Sequence, residues 1–251
     1  MTAPLRVQAR GTGAPVLVLL HGLGATGDVW AGAARVLAEQ WPGRWLACDL
    51  PGHGGSGPLD RYSFGSLAAA VAGLVPGEEP VVVLGHSLGG VVGLTLASGW
   101  FGLPVTAAVG LGIKVAWSQS DLDTARRIAA RPVTWFSSRK EAAERHLRVS
   151  GLVGLLDTDD PAVSAGLREQ DGRWRLAVDP AAFGVGAPDM PGLLAAARGE
   201  VLLARGEHDP MVSDEQLAAL HPATVTLPGL GHSAHVEDPA TALRLLERYT
   251  G

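Results

Sequence analysis

The feature that most constrains the fold is a repeated alternation between short apolar runs and helical patterns. Apolar runs begin at 15–22, 44–57 and 80–87; each leads into a glycine-containing loop and then into apolar residues at helical spacing. Short, continuously apolar runs are typical of strands buried on both faces. Because strands that alternate with helices are joined by right-handed crossovers, the sequence predicts an α/β fold. Its central sheet is expected to be mostly parallel, with helices on both faces.

The predicted helices in this part of the chain carry capping residues. Asp28 opens the helical pattern at 28–40, and Ser63 opens the one at 63–75. Both residue types favour N-caps, because a side-chain oxygen can accept a hydrogen bond from a free backbone amide of the first turn. We therefore predict an N-cap at each position.

The alternation stops near Lys114 and resumes with the strand pattern that begins at Glu200. Up to Val185 the chain shows helical patterns and polar turns, with a single candidate short strand at 174–178. About 70 residues are thus predicted to be inserted into one α/β domain. The core is assigned to 1–113 and 186–251, and the insertion to 114–185.

The stretch VVVLGHSLGGVV, residues 81–92, holds Ser87 between two glycines. A Gly-x-Ser-x-Gly match arises by chance in about a quarter of chains with this glycine content, so the motif alone is weak. Its context is more specific, since a buried strand precedes it and an apolar helix follows, which is the setting of a nucleophile elbow. Ser87 is therefore a candidate nucleophile at a helix N-terminus, where backbone amides favour developing negative charge.

Two later loops supply the groups that a serine nucleophile needs. Asp209 follows one predicted strand and His232 follows the next, in the chain order Ser, Asp, His expected for this architecture. Since the carboxyl ends of parallel strands meet at one sheet edge, these residues are expected to converge. The backbone amides of Leu23 and Leu88 are predicted to form the oxyanion hole.

Six short motifs follow one another along the chain: HGLG (21–24), DLPGHGGS (49–56), GHSLGG (85–90), GEHDP (206–210), GLGH (229–232) and VEDP (236–239). Together they make the chain resemble the α/β-hydrolase superfamily, as a serine-nucleophile, cap-domain, esterase-like member. The resemblance implies Ser87 as nucleophile, His232 as base and Asp209 as acid. It also implies that 114–185 is a mainly helical cap or lid over the pocket.

Several residues compete for these roles or for a place in the substrate pocket. His235 competes with His232 and Glu207 with Asp209, while Asp214 is interpreted as a helix cap. His21 is expected to fix the loop before the oxyanion hole, and His146 to lie on a helix surface. The tentative pocket residues are His86, Trp117 and Trp135, although His86 can equally brace the elbow, and cap packing explains the tryptophans equally well.

Composition excludes some classes of function. The chain has 251 residues, a net charge of −5 and no basic stripe, so no nucleic-acid partner is expected. No window approaches the length of a membrane span, and the first ten residues contain no apolar signal segment, so we expect a cytoplasmic protein. The single cysteine, Cys48, excludes an internal disulfide and is expected in the core. No metal or other cofactor is predicted, and the oligomeric state stays open.

The favoured hypothesis is a cofactor-independent serine hydrolase of small ester, thioester, lactone or related acyl substrates. A second hypothesis keeps the fold but changes the reaction to acyl transfer, C–C bond cleavage, a lyase step or a cofactor-free reaction. A third is a small-molecule receptor on the same scaffold. Three arginines also lie close together in the inserted segment, namely Arg126, Arg127 and Arg131. They can bind a substrate carboxylate, although a solvated helix face is the favoured interpretation.

Overall fold

The computed structural model describes residues 4–75 and 77–250 and is built around a seven-stranded sheet. The strands of this sheet are β1 (Val7–Arg10), β2 (Val16–Leu20), β3 (Trp45–Cys48), β4 (Val81–His86), β5 (Val105–Leu111), β8 (Glu200–Gly206) and β9 (Thr224–Leu227). Their order in the sheet is β1-β3-β2-β4-β5-β8-β9; β1 is antiparallel to its neighbour and the other pairs are parallel.

The central strands are buried, as their apolar composition predicts. Every residue of β2 and of β4 is buried, because helices cover both faces of the sheet. The expected α/β fold with a mostly parallel sheet is confirmed. Cys48 is buried at the end of β3, as expected. The edge strand β1 is largely exposed and has no apolar run, so the sequence pattern did not indicate it.

The helices of the described residues lie on both sides of the sheet and in the segment that follows β5. They are α1 (Ala31–Gln40), α2 (Phe64–Ala72), α3 (Leu88–Ala97), α4 (Gln119–Ala129), α5 (Arg139–Ser150), α6 (Pro161–Ala165), α7 (Met190–Ala196), α8 (Asp214–Leu220), α9 (Ala234–Glu237) and α10 (Pro239–Leu243). Shorter 3-10 helices span Gly27–Trp30, Pro180–Gly184 and Arg244–Tyr249.

One of the two predicted N-caps is correct. Ser63 caps α2 in a capping box with Ser66. The prediction for Asp28 is wrong, because a 3-10 helix precedes α1 and its N-cap is Trp30. The Asp28 carboxylate instead accepts hydrogen bonds from Arg6 and from the Gln8 amide, at 2.9 Å for the latter. This carboxylate therefore ties the segment of β1 to the loop after β2.

Residues 114–185 add no strand to the main sheet, since β5 pairs directly with β8. The segment contains α4, α5, α6, a 3-10 helix and an antiparallel pair of strands, β6 (Leu167–Gln170) and β7 (Arg173–Leu176). Hydrogen bonds from Gly54 to Ala177 (2.6 Å) and from Asp179 to Gly52 (2.7 Å) join the segment to the loop after β3. Among the residues that the structure describes, no helix is both long and apolar enough to cross a membrane.

Candidate active site

Ser87 lies at a sharp turn between β4 and α3, with backbone angles φ 49° and ψ −114°. L-residues rarely adopt positive φ, and such strain persists only where the surroundings fix it. Here the turn is compact: a Cβ on Gly85 would lie 2.2 Å from the carbonyl oxygen of Gly89. The two glycines of the motif thus allow the strand and the helix to meet, and this contact supports the interpretation of the stretch as a nucleophile elbow.

Asp209 and His232 converge at the same edge of the sheet. His232 Nδ1 lies 3.0 Å from each of the two Asp209 carboxylate oxygens. The Asp209 side chain is fully buried, and its Oδ1 also accepts the Met211 backbone amide at 2.8 Å. A buried, hydrogen-bonded carboxylate fixes the neighbouring imidazole with Nδ1 protonated, which leaves Nε2 free to accept a proton.

Gly112, at the end of β5, packs directly beneath this pair. Its φ is +64°, and a Cβ there would lie 3.1 Å from Asp209 Oδ2 and 3.2 Å from His232 Nδ1. Its amide donates to Ala204 on the neighbouring strand, at 2.8 Å. The backbone of β5 therefore forms one wall of the Asp–His pair, and the wall is close enough that a side chain would disturb it.

The rival residues face elsewhere. Glu207 accepts the Gly229 backbone amide at 2.8 Å, and Asp214 pairs with Arg205 at 2.8 Å. Ser213, rather than Asp214, is the N-cap of α8.

His235, the rival of His232, is buried, with its ring 4.5 Å from that of Trp30. Burial lowers its pKa to about 3, so it is neutral. Within 4–75 and 77–250, no three His, Cys, Asp or Glu side chains are grouped to hold a metal ion.

The amides of Leu23 and Leu88 are both available as donors. Neither donates a hydrogen bond to another group in the part of the chain that the structure describes. Leu88 is the first residue of α3, where the first four amides of a helix have no intrahelical partner. Both leucines line the same cavity as Ser87.

His21 braces the loop that carries Leu23, as expected. Its Nδ1 donates to the Gly22 carbonyl and its Nε2 accepts the Leu50 amide, each at 2.8 Å. This pattern requires a neutral ring, and burial lowers the pKa of His21 to about 4.

His86 braces the site rather than lining the pocket. Its Nε2 donates to the His232 backbone carbonyl at 3.0 Å, and its ring centroid lies 4.6 Å from that of His232. The residue is buried and is not part of the cavity wall at Ser87. Burial is the main cause that keeps its pKa well below the usual value. His86 thus connects the elbow to the loop of His232.

A small cavity of about 60 Å³ opens beside Ser87. Of the two tryptophans proposed for the pocket, Trp117 lines this cavity, whereas Trp135 lies in a different depression beside Gly52 and Arg175. The guanidinium carbons of Arg173 and Arg175 each lie 5.7 Å from the centre of the Trp135 ring, within the range of cation–π contacts. Further residues of the cavity wall that the sequence did not single out are Phe64, Val91, Ile113, Lys114, Val185, Gly186 and Pro188.

The match to a known family covers nearly the whole chain. The sequence profile described as the alpha/beta hydrolase family matches residues 17–244. The chain belongs to this family. The match includes the Ser87 elbow as well as Asp209 and His232, although it does not by itself assign their roles.

Relatives of this alpha/beta hydrolase carry different names. A pimeloyl-[acyl-carrier protein] methyl ester esterase of Aeromonas hydrophila is 46% identical over 86 residues, which is 33% of this chain and 32% of the esterase. The magnesium-chelatase 30 kDa subunit of Rhodobacter capsulatus is 33% identical over 153 residues, 55% of this chain and 52% of that protein. The chain thus spans between a third and a half of the length of these relatives.

Solved alpha/beta hydrolase structures share the fold at low identity. The crystal structure of E-2-(acetamidomethylene)succinate hydrolase superposes with a TM-score of 0.81 at 24% identity, covering 98% of this chain and 95% of the other. At this identity the likeness establishes the fold alone.

Proposed function

We propose that the protein hydrolyses small carboxylic esters or thioesters through a Ser87–His232–Asp209 triad. The observation that carries the proposal is the Asp209–His232 pair, with Nδ1 3.0 Å from both carboxylate oxygens, beside a serine on a strained elbow. Relatives named as esterases support the same reaction class. The Ser87 hydroxyl makes no hydrogen bond to His232 among the described residues, and such bonds commonly tighten only once substrate is in place.

In the proposed mechanism His232 Nε2 takes the Ser87 proton as Oγ attacks the acyl carbon. The amides of Leu23 and Leu88 stabilise the oxyanion, a contribution that is worth about 3 kcal/mol per donor in acyl-transfer enzymes. The imidazolium then protonates the leaving alcohol or thiol. Water, deprotonated by His232, attacks the acyl-enzyme and releases the carboxylic acid, which restores Ser87. Asp209 keeps the imidazole oriented and stabilises its positive charge.

We further propose that residues 114–185 act as a cap over this site. Trp117 and Val185, at the two ends of that segment, both line the cavity at Ser87, so the segment closes part of its wall. A cavity of about 60 Å³ accommodates little more than the reacting group. We expect the remainder of a substrate to extend along the segment.

A second candidate function is transfer of the acyl group to an acceptor other than water. The acyl-enzyme of the proposed triad can react with an alcohol or an amine as well as with water. Product analysis with and without an added alcohol or amine acceptor distinguishes the two. Formation of free acid alone supports hydrolysis, whereas acceptor-dependent product formation supports transfer.

The direct test combines turnover with covalent labelling. Wild-type protein is expected to hydrolyse p-nitrophenyl butyrate and to react with a fluorophosphonate probe at Ser87, identified by peptide mass spectrometry. Ser87→Ala should lose labelling and lower kcat by roughly 10⁵-fold. Ser98→Ala is the matched control, because that hydroxyl is also buried near α3 but donates only to the Thr95 carbonyl. Labelling at a different serine, or unchanged turnover in Ser87→Ala, contradicts the proposal.

A further inference from the structure

A second and larger cavity lies within the 114–185 segment. Its volume is about 340 Å³, compared with about 60 Å³ for the cavity at Ser87, and it lies between α4, α5, β7 and the 3-10 helix Pro180–Gly184. Such a volume falls in the range of small-molecule sites, about 300–1,000 Å³. Most of the residues that line it are apolar, including the half-buried Ile128, Phe136 and Phe183.

Three arginines surround this apolar interior without a balancing acid. Arg131, Arg145 and Arg148 line the cavity, and no Asp or Glu of the described chain does. None of the three forms an ion pair or side-chain hydrogen bond to another described residue.

The neighbouring arginines of α4 behave differently. Arg126 pairs with Asp123 at 3.0 Å and Arg127 with the Thr124 hydroxyl at 2.9 Å, on the helix's own exposed face. The solvated helix face favoured from the sequence therefore describes these two residues. Arg131 alone of the three turns to the cavity.

Two chain segments connect the large cavity to the site at Ser87. Val149 lines the large cavity and packs against Gly24, the residue after the proposed oxyanion donor Leu23. Phe183 lines the large cavity and Val185, two residues later, lines the cavity at Ser87. The large cavity is therefore lined by residues next to those that form the wall at Ser87.

We infer that the large cavity binds the remote part of the substrate, and that this part is an apolar chain ending in a carboxylate or phosphate. The apolar interior suits the chain, whereas a fork of guanidinium donors suits a planar or tetrahedral oxyanion, which an arginine can hold through two hydrogen bonds. A cationic ligand would face three like charges. The inference rests on the proposed function, because it assigns the ester to Ser87 and the anion to the arginines.

Binding can be measured apart from catalysis by calorimetry on the Ser87→Ala protein. Decanoate and decyl phosphate should bind, whereas decanol should bind at least tenfold more weakly and decyltrimethylammonium should show no binding. The ratio of the first two affinities identifies the preferred head group. The triple variant Arg131→Gln, Arg145→Gln, Arg148→Gln should weaken decanoate binding by roughly three- to tenfold for each arginine.

The matched control is Arg126→Gln, Arg127→Gln, Lys140→Gln, which removes three positive charges from the same segment outside the cavity lining. It should bind decanoate within about twofold of the parent, since long-range charge alone is screened at physiological salt. Equal binding of decanol and decanoate, or equal loss in both triple variants, overturns the inference.

Kinetics connect the cavity to the reacting centre. In the wild-type protein the mono-p-nitrophenyl ester of octanedioic acid should show a KM about tenfold or more below that of p-nitrophenyl octanoate. The cavity triple variant should raise the first KM to the level of the second. The control triple variant, outside the cavity lining, should leave kcat and both KM values unchanged. Turnover of both esters with equal KM overturns the inference and leaves the proposed function standing. Turnover of neither ester counts against the proposed function, and the calorimetry then decides the cavity by itself.

Discussion

The side chains at the edge of the sheet and those around the cavity of the 114–185 segment are held in different ways. At the sheet edge the groups proposed for the chemistry are fixed by backbone contacts, by the fully buried Asp209 and by neutral, buried histidines. In the 114–185 segment the arginines around the cavity are exposed and have no partners among the described residues.

This difference indicates a division between reaction and recognition. Groups that must hold a transition state within a fraction of an ångström need rigid support, whereas groups that select a remote part of a substrate can adjust. Changes at the sheet edge are therefore expected to alter kcat, and changes in the 114–185 segment to alter KM.

The largest effect is expected from Asp209→Asn. The amide removes the charge that stabilises the His232 imidazolium and can reverse the tautomer, so kcat should fall by about 10⁴-fold with little change in KM. Glu207→Gln and Asp214→Asn are matched controls, because their carboxylates bind Gly229 and Arg205 and should leave kcat within about threefold. If Glu207→Gln instead produces the large loss, the acid has been assigned to the wrong residue.

Gly112→Ala should lower kcat by about 100-fold. The added Cβ would lie 3.1–3.2 Å from both members of the Asp209–His232 pair and must displace them. It also strains a residue at φ +64°, at a cost of roughly 1–2 kcal/mol of stability. Gly102→Ala separates the two effects, since Gly102 has φ +74° and open space around its Cα. That control should lose similar stability but keep full kcat.

The parts of the molecule that were predictable are those in which one backbone pattern dictates the contact. The strand–serine–helix pattern at Ser87 and the loops of Asp209 and His232 lie where parallel strands end, so their convergence follows from topology. The role of His86 was not predictable from the sequence, because the pattern around it is the same whether the residue lines a pocket or braces a loop. Only the hydrogen bond to the His232 carbonyl separates the two.

Positions that depend on tertiary packing were not predictable. His146 has a polar neighbourhood in sequence, which favours a helix surface, yet it is buried in α5 against Gly166, where a Cβ would lie 2.1 Å from its ring. The 114–185 segment also returns to the loop at Gly52, to which it is hydrogen-bonded. Trp135 therefore lies among arginines beside that loop and away from Ser87. Long-range contacts of this kind leave no periodic signal in the sequence.

His146 offers a pH-dependent test of the 114–185 segment. His21 in the core has two hydrogen bonds, whereas neither ring nitrogen of His146 has a partner among the described residues. Burial lowers the pKa of His146 to about 4, with a smaller contribution from His53.

Between pH 6.5 and about 4 the unfolded chain therefore binds more protons than the folded one at this position, and the free energy of unfolding falls as the pH falls. The contribution of His146 is at most about 1.4 kcal/mol per pH unit, a tenfold change in the unfolding constant. In His146→Leu the free energy of unfolding, measured with urea, should depend on pH less steeply over this range, by up to that slope. Its pH dependence above pH 7 should change little. A profile parallel to that of the wild type would show that His146 is not the responsible group.

The smallest effect concerns the two non-glycine residues with positive φ among those described, one in each region. Ser87 has φ 49° at the elbow, and Asp171 has φ 51° before Gly172 in the turn between β6 and β7. An Asp–Gly pair suits a two-residue hairpin turn in which both residues need positive φ, so Asp171 is little strained. Ser87 combines its φ with ψ −114°, a conformation that favours glycine.

Ser87→Gly should therefore raise the free energy of unfolding by about 1 kcal/mol relative to Ser87→Ala, although both variants should be inactive. Asp171→Gly should change stability by less than about 0.5 kcal/mol and leave kcat unaltered. Urea unfolding of the three variants at one pH makes the comparison. Equal stability of Ser87→Gly and Ser87→Ala would mean that the elbow stores no strain, and the proposed nucleophile would then be exposed by the shape of the turn alone.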